Sequence, residues 1–143
     1  MPLEIERKFL VREALLPALP PPSKLTQGYL SVTPVVRVRL STSPSGIETG
    51  ALTVKGSGLL TRAEFEYAIP PADAQQLLAL CARKLSKSRH VLGRWEIDHF
   101  EGRGLWLAEI ELSDEAEPFD RPPWLGDEVT QDPAYSNARL AGA

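Results

Sequence analysis

The sequence predicts a mainly β (α+β) fold, in which eight antiparallel strands close into a barrel or tunnel with a charged lumen and one to three short helices. About eight segments alternate polar and apolar residues with a period of two, as half-buried strands do. Helical signals are confined to one alanine- and leucine-rich stretch and to the C-terminus. Eight strands can enclose a ligand, and polar faces that point inward would make the lumen charged.

The first strand is predicted over Glu4–Val11. In an extended chain Glu4, Glu6 and Lys8 share one face, while apolar residues occupy the other. The two carboxylates are then roughly 6.6 Å apart, from a rise of about 3.3 Å per residue. They repel each other unless a cation lies between them. A single strand of this kind is also typical of an ordinary sheet with one solvated face.

The charge pattern repeats along the chain, which weakens that ordinary interpretation. Further strands are predicted over residues 25–32, 35–40, 51–55, 60–69, 85–92, 95–100 and 105–112. Four of them carry two charges of one sign on one face: Arg37 and Arg39, Glu64 and Glu66, Lys87 and Arg89, Glu109 and Glu111. Solvated faces usually mix signs, because like charges directly opposite each other destabilise a sheet. Strands of single sign suit a surface that holds a polyanion together with its metal ions.

The remaining segments are predicted to be connections and short helices. The proline-rich segment 15–23 is a stiff surface connection, and residues 41–50 form a hairpin loop. One helix is predicted over 70–84, residues after Leu112 are irregular, and 133–141 closes as a short helix. One or two helices cannot cover the apolar outer faces of eight strands, so a partner subunit in a homodimer is expected to supply part of the cover.

Length and composition favour a single domain over residues 1–143. The net charge of −3 argues for neither nucleic acid nor an acidic surface as a partner. The single cysteine, Cys81, excludes an internal disulfide framework and fits a reducing compartment, and its apolar helical context predicts packing rather than catalysis. No long apolar segment or signal sequence occurs. We therefore expect a cytoplasmic protein with no membrane or nucleic-acid partner.

A series of short motifs follows one order along nearly the whole chain. They are Glu-x-Glu-x-Lys at 4–8, Gly-Tyr-Leu at 28–30, Arg-x-Arg at 37–39, Thr-Val-Lys at 53–55, Glu-x-Glu at 64–66, Lys-x-Arg at 87–89, Asp98 after Trp-Glu-Ile, and Glu-x-Glu at 109–111. This series resembles the CYTH superfamily, the triphosphate tunnel metalloenzymes. The resemblance implies an eight-stranded antiparallel tunnel that holds a triphosphate and divalent metal ions.

The resemblance also implies a role for each charged residue of the tunnel. The implied metal ligands are Glu4, Glu6, Glu109 and Glu111, with Asp98 assisting and with Glu64 and Glu66 serving either as ligands or as charge balance. The implied phosphate-binding residues are Lys8, Arg37, Arg39, Lys55, Arg62, Lys87 and Arg89. Lys8 with Tyr29 resembles a pair that activates the attacking water, although an ordinary aromatic residue beside a turn is an equal interpretation of Tyr29. Two ions, Mg²⁺ or Mn²⁺, are the expected cofactors, since such ions prefer oxygen ligands.

We therefore expect metal-dependent hydrolysis of a triphosphate. Inorganic triphosphate comes first, because the chain is short for the family and carries no separate motif for an organic ring. The alternatives are a class IV-type adenylyl cyclase and a triphosphatase acting on thiamine triphosphate or a nucleoside triphosphate. A non-catalytic module that binds triphosphate or polyphosphate is a further alternative, which the two acid pairs and Lys8 disfavour.

Overall fold

The computed structural model describes residues 2–142, so Met1 and Ala143, the ends of the predicted domain, lie outside the described residues. The strands are β1 (Leu3–Val11), β2 (Ser23–Val32), β3 (Val35–Thr42), β4 (Glu48–Lys55), β5 (Thr61–Ile69), β6 (Arg83–Leu92), β7 (Trp95–Phe100), β8 (Leu105–Glu111) and β9 (Leu125–Glu128). The α-helices are α1 (Pro71–Ala79) and α2 (Asn137–Leu140), and short 3₁₀ helices cover Glu13–Leu15 and Pro133–Tyr135. Across residues 2–142, none of the helices has the length and apolar character that a membrane crossing requires.

Eight of the strands form a closed antiparallel barrel in the order β5-β4-β3-β2-β6-β7-β8-β1, which confirms the predicted fold. The barrel closes where Leu3–Ile5 of β1 pair with Thr61–Ala63 of β5. Farther along β1, β5 no longer pairs with it and β9 takes its place, with Phe9 opposite Glu128.

The strand β9 was not predicted, because residues after Leu112 were expected to be irregular. Its four residues show no alternation that could have revealed it. Pairing with the part of the β1 edge that β5 leaves free makes this segment extended, so β9 depends on a tertiary contact.

Three other predicted boundaries are corrected by the structure. Strands β3 and β4 shorten the predicted 41–50 loop to residues 43–47. The first helix ends at Ala79 instead of residue 84, because Arg83 and Lys84 pair with β2. The predicted helix over 133–141 is divided at Ser136, whose side chain accepts a hydrogen bond from the backbone of Arg139 and so caps α2.

The contact between β2 and the end of α1 requires a glycine. A Cβ atom at Gly28 would lie 2.7 Å from Cys81 Sγ, so a larger residue would displace the cysteine. Cys81 is buried there, and its thiol donates to the carbonyl of Leu77, in agreement with its predicted packing role.

Two parts of the outer surface of the barrel are covered by the chain itself. An aromatic cluster joins Phe9 and Trp95 to Phe119 and Trp124, which belong to the irregular segment after β8. On the opposite side α1 packs on β3 and β4. Within residues 2–142, no segment covers the exposed side chains Phe65 and Tyr67 of β5 in this way.

One end of the lumen is closed by apolar side chains. Tyr29, Leu85, Phe100 and Leu107 lie on the inward faces of their strands and pack against Leu140 of α2. The C-terminal helix therefore plugs the barrel, and its first residue, Asn137, reaches the charged part of the lumen.

Candidate active site

A charged cavity of about 140 Å³ lies inside the barrel. Because side chains alternate across each strand, the polar faces identified in the sequence point inward. The cavity is lined by carboxylates, cations and one amide: Glu4, Glu6, Glu64, Glu66, Glu96, Glu109, Glu111, Arg37, Arg39, Lys55, Arg89 and Asn137. The structure thus brings most of the predicted site residues to one cavity and adds Glu96 and Asn137 to them.

Three carboxylates meet where β1, β7 and β8 lie side by side. Oxygens of Glu6, Glu96 and Glu109 all lie within 4.8 Å of one another. Glu96 and Glu109 are direct cross-strand partners, and Glu6 has the same relation to Glu111. Like charges in such positions destabilise a sheet. The cluster is therefore a candidate site for a divalent metal ion, which prefers carboxylate oxygens.

The protonation of this cluster also fits a cation site. Burial and the negative charge of Glu109 raise the pKa of Glu6 well above its ordinary value. Burial opposes the ionisation of Glu109 as well, but the charge of Lys8, the contact with Glu6 and the charges of Lys87 and Arg89 together outweigh it and hold the pKa of Glu109 well below its ordinary value. Within the described chain Glu109 Oε1 is buried and accepts no hydrogen bond. An unsatisfied buried oxygen costs free energy, which a bound cation would recover.

A second acidic group lies beside β4 and β5. Lys55 Nζ is 2.9 Å from Glu4 and 3.2 Å from Glu64, and Arg62 Nε is 3.5 Å from Glu4. Burial works against the ionisation of Glu4, but the contact with Glu64 and the charge of Lys55 outweigh it and lower the pKa of Glu4 to about 2. Contact with Glu4, followed by burial, raises the pKa of Glu64 to about 7. Glu64 is therefore partly protonated near neutral pH, and a metal ion at this pair would displace that proton.

Asp98 lies beneath the cavity and does not line it. Its side chain and that of Lys87 are 0% exposed, and Lys87 Nζ is 2.7 Å from Asp98 Oδ2. Arg89 donates two hydrogen bonds to the same carboxylate, at 2.8 and 2.9 Å. Both oxygens are thus engaged by cations, an arrangement that favours a positioning role over the predicted contact with metal.

The other two predicted acids lie at the rim of the cavity. Glu66 is 49% exposed and accepts a hydrogen bond from Thr53, and Glu111 is exposed at the end of β8. Both line the cavity, so the structure leaves them within reach of a bound ion.

The guanidinium group of Arg37 has one N–H donor, at Nε, that lacks an acceptor within the described residues. Its side chain is buried, with Nη2 3.6 Å from Glu66 and 3.3 Å from Thr53 Oγ1. Within residues 2–142 its Nε makes no hydrogen bond. A buried guanidinium N–H in this state suits a phosphate oxygen, which forms strong charge-assisted bonds with arginine. A second cavity, of about 260 Å³, adjoins the lumen at Arg37 and Lys55 and is bounded by the 56–59 loop and α2.

Lys8 and Tyr29 are not brought together. Lys8 Nζ donates to the carbonyl of Tyr135 at 2.9 Å and lies 3.9 Å from Glu109 Oε1. Tyr29 lines the adjoining cavity, and its hydroxyl accepts a hydrogen bond from Gln27 Nε2 at 3.3 Å. Burial raises the pKa of Tyr29. The geometry therefore supports a role for Lys8 beside the acid cluster and places Tyr29 in the apolar end of the barrel.

Two residues of the cavity, Glu96 and Asn137, were not predicted from the sequence, and only Glu96 could have been. Glu96 precedes Asp98 by two positions on the same face of β7, so the alternation that indicated Asp98 could also have indicated Glu96. Asn137, which accepts a hydrogen bond from Lys87 at 3.0 Å, had no such signal, because its position depends on the docking of α2.

The protein therefore belongs to the class of closed antiparallel β-barrels whose charged lumen suits metal ions and phosphate groups. Residues 2–139 match the CYTH domain, and the chain belongs to this family.

Two proteins named inorganic triphosphatase and one solved structure are similar to this chain over almost its whole length. An inorganic triphosphatase of Acetivibrio thermocellus is 38% identical over 148 residues, which cover 96% of this chain and 92% of that protein. An inorganic triphosphatase of Nitrosomonas europaea is 38% identical over 152 residues, which cover 96% of each. A crystal structure described as the inorganic triphosphatase NE1496 aligns with a TM-score of 0.65 and 32% identity, over 98% of this chain and 95% of that one.

Proposed function

We propose that this protein hydrolyses inorganic triphosphate to pyrophosphate and orthophosphate with the help of bound divalent metal ions. The observation that carries the proposal is the pairing, in one cavity, of a three-carboxylate cluster with buried groups that lack partners within residues 2–142. Glu109 Oε1 is an acceptor ready for a cation, and Arg37 Nε is a donor ready for a phosphate oxygen. The names of the relatives support the choice of reaction.

The size of the lumen supports a compact substrate. Its cavity of about 140 Å³ is smaller than the pockets of roughly 300 Å³ and more that hold organic ligands. The adjoining cavity of about 260 Å³ favours an organic triphosphate as the second candidate, because its walls include the apolar residues Val32, Val35 and Leu59. The organic part of such a substrate would occupy that cavity while its phosphates lie in the lumen.

We assign the metal ions to the two acidic groups of the lumen. Glu6, Glu96 and Glu109 would hold one ion. Glu4 and Glu64 are our candidate ligands for the second, which would have to displace Lys55 from its contacts with both of them. Glu66 and Glu111 remain candidate ligands at the rim. The expected ions are Mg²⁺ or Mn²⁺, which would polarise phosphate oxygens and make a coordinated water more acidic.

The cations of the barrel would bind and orient the phosphate chain. They are Arg37, Arg39, Lys55, Arg62 and Arg89, while Lys87, which is 0% exposed and contacts Asp98 and Asn137, would support them from beneath the cavity. Attack of water on a terminal phosphorus forms one P–O bond, the bridging P–O bond breaks, and pyrophosphate leaves. Positive charge around the phosphate oxygens stabilises the transition state of this transfer. Lys8, 3.9 Å from Glu109, is our candidate for the group that takes up the proton that the water loses, which it can do only as the neutral amine.

The test is a product assay with purified protein. Inorganic triphosphate, ATP and thiamine triphosphate are each supplied with Mg²⁺, with Mn²⁺ or with a chelator. We expect equal amounts of orthophosphate and pyrophosphate from inorganic triphosphate, and no reaction with the chelator. Glu109→Gln should abolish the reaction, whereas Glu101→Gln, at an exposed surface ion pair with Lys24, should retain it. Cyclic AMP from ATP would show a cyclase instead, and tight binding without turnover would show a binding module.

The predicted homodimer and cytoplasmic location are proposals as well. Phe65 and Tyr67 leave an apolar part of β5 exposed, which a second copy could cover. Light scattering on the purified protein should give twice the chain mass, and the mass of one chain would contradict the dimer. Cell fractionation tests the location, and recovery outside the cytoplasmic fraction would contradict it.

A further inference from the structure

Arg39 differs from every other cation that the motif series assigns to phosphate binding. Within residues 2–142, each of the others has a carboxylate oxygen within 4.0 Å: Lys8, Arg37, Lys55, Arg62, Lys87 and Arg89. Arg39 has no carboxylate at that distance in the described part of the chain. Its partner is a neutral amide, because Nε donates to Gln27 Oε1 at 2.8 Å and Nη2 donates to the same oxygen.

The amide of Gln27 is held in one orientation. Gln27 is 0% exposed, and it is the direct cross-strand partner of Arg39 between β2 and β3. A guanidinium group can only donate, so the amide oxygen must face Arg39. The amide nitrogen then donates to the hydroxyl of Tyr29 at 3.3 Å. Both ends of the amide are therefore fixed, and the guanidinium of Arg39 is fixed with them.

A neutral partner has a different effect from a carboxylate. Both orient the guanidinium, but only the carboxylate cancels its charge. Burial, reinforced by the nearby charges of Arg37 and Arg89, lowers the pKa of Arg39 to about 10. The site thus holds a positive charge that its own protein partner does not compensate, and a bound anion would relieve this.

We propose that Gln27 is a positioning residue that orients Arg39 for a phosphate group of the substrate while leaving the charge of Arg39 uncompensated. The proposal rests on the proposed function, because it takes Arg39 as a phosphate ligand. It gives a task to a buried polar residue that the catalytic arrangement otherwise leaves without one.

The decisive variant is Gln27→Glu, which keeps the shape and the acceptor but adds the compensating charge. We expect the KM for inorganic triphosphate to rise about tenfold or more, because a charge-assisted contact is weakened, with a smaller change in kcat. Affinity for inorganic triphosphate measured by calorimetry in a chelator should fall by a similar factor, while the melting temperature should not fall. Gln75→Glu, the same change on the exposed surface of α1, is the matched control and should leave KM unchanged.

A purely structural role for Gln27 predicts the opposite result. A carboxylate would hold Arg39 at least as firmly, so an unchanged KM and affinity in Gln27→Glu would overturn the proposal. If that variant does not fold, Gln27→Met decides, because it removes the acceptor and keeps the volume. Its KM and its dissociation constant for inorganic triphosphate should rise, and values equal to those of the wild type would refute the positioning role.

Failure of the proposed function can be told apart from failure of this inference. If the wild type does not hydrolyse inorganic triphosphate, the hydrolase proposal is wrong. The calorimetric comparison of wild type and Gln27→Glu needs no turnover, so it still tests whether Gln27 sets the anion affinity of Arg39.

Discussion

Replacing Asp98 with asparagine separates two hypotheses about this buried acid. The motif series implied that Asp98 assists metal binding, whereas the structure surrounds it with Lys87 and Arg89. Asparagine keeps the shape of the side chain and removes its charge. If Asp98 holds the two cations in place, the change should lower the free energy of unfolding of the barrel and have a smaller effect on its affinity for metal ions.

The size of the effect follows from the burial of the group. Removing one partner of a buried ion pair typically costs about 3–5 kcal/mol. Two features place Asp98→Asn near the lower end of this range. Burial already lowers the pKa of Lys87 to about 8, so Lys87 can release its proton, and Arg89 retains Glu96 at 3.2 Å. We expect about 3 kcal/mol, or a melting temperature about 10 °C lower for a domain of this size.

Calorimetric or urea unfolding near neutral pH measures this loss. The matched control is Asp127→Asn at an exposed position of β9, which should change stability by less than about 0.5 kcal/mol. Wild-type stability in Asp98→Asn, combined with weaker binding of Mg²⁺ or Mn²⁺, would refute the reasoning and make Asp98 a metal ligand.

The same variant gives a pH test. Burial opposes the ionisation of Asp98, but the charge of Lys87 and the bonds from Arg89 outweigh it, so the pKa of Asp98 is below its ordinary value. A lowered pKa contributes stability that is complete above the unfolded value of about 3.9 and is lost as the pH falls through the folded value. The gap in melting temperature between wild type and variant should therefore persist at neutral pH and narrow below about pH 4.

Three further predictions concern the lumen. Glu96→Gln should lower kcat/KM at limiting Mg²⁺ by about 10- to 100-fold, because an amide replaces a charged oxygen in the acid cluster; an unchanged Mg²⁺ titration of activity would exclude Glu96 as a ligand. Lys8→Met should lower kcat by about 100-fold or more at saturating metal and substrate, and a wild-type kcat in steady-state kinetics would show that Lys8 does not hold the proton. Metal binding should release more protons near pH 6 than near pH 8, because contact with Glu4 and burial raise the pKa of Glu64 to about 7. Calorimetry in buffers of different ionisation enthalpy measures this release, Glu64→Gln should reduce the difference, and equal release by both proteins would contradict it.

The fold was predictable because the alternation of residues has a direct physical meaning. A period of two determines which side chains share a face, so the inward faces of β1, β3 and β8 were assigned before any pairing was known. The family was predictable for the same reason, since its motifs consist of these inward-facing charges. The metal and phosphate roles of individual residues stay predictions.

The alternation does not show how deep a residue lies or what it contacts. Glu96 and Asp98 share one face of β7, yet Glu96 joins the acid cluster and Asp98 lies beneath it with 0% exposure. Their difference depends on the stagger of β7 against its neighbours, which arises only when the sheet closes.

The sequence by itself determined the strands and the sign of the charge that each one carries on a face, because strand period and charge sign are local properties of the chain, and the order of its motifs indicated the family and with it the closed barrel. Tertiary structure alone decided which charges are compensated. Asp98 pairs with both Lys87 and Arg89, and Arg89 also pairs with Glu96, whereas Gln27 holds Arg39 without contributing any charge. These contacts join different strands, so they depend on register and closure, which are set by the packing of the whole barrel.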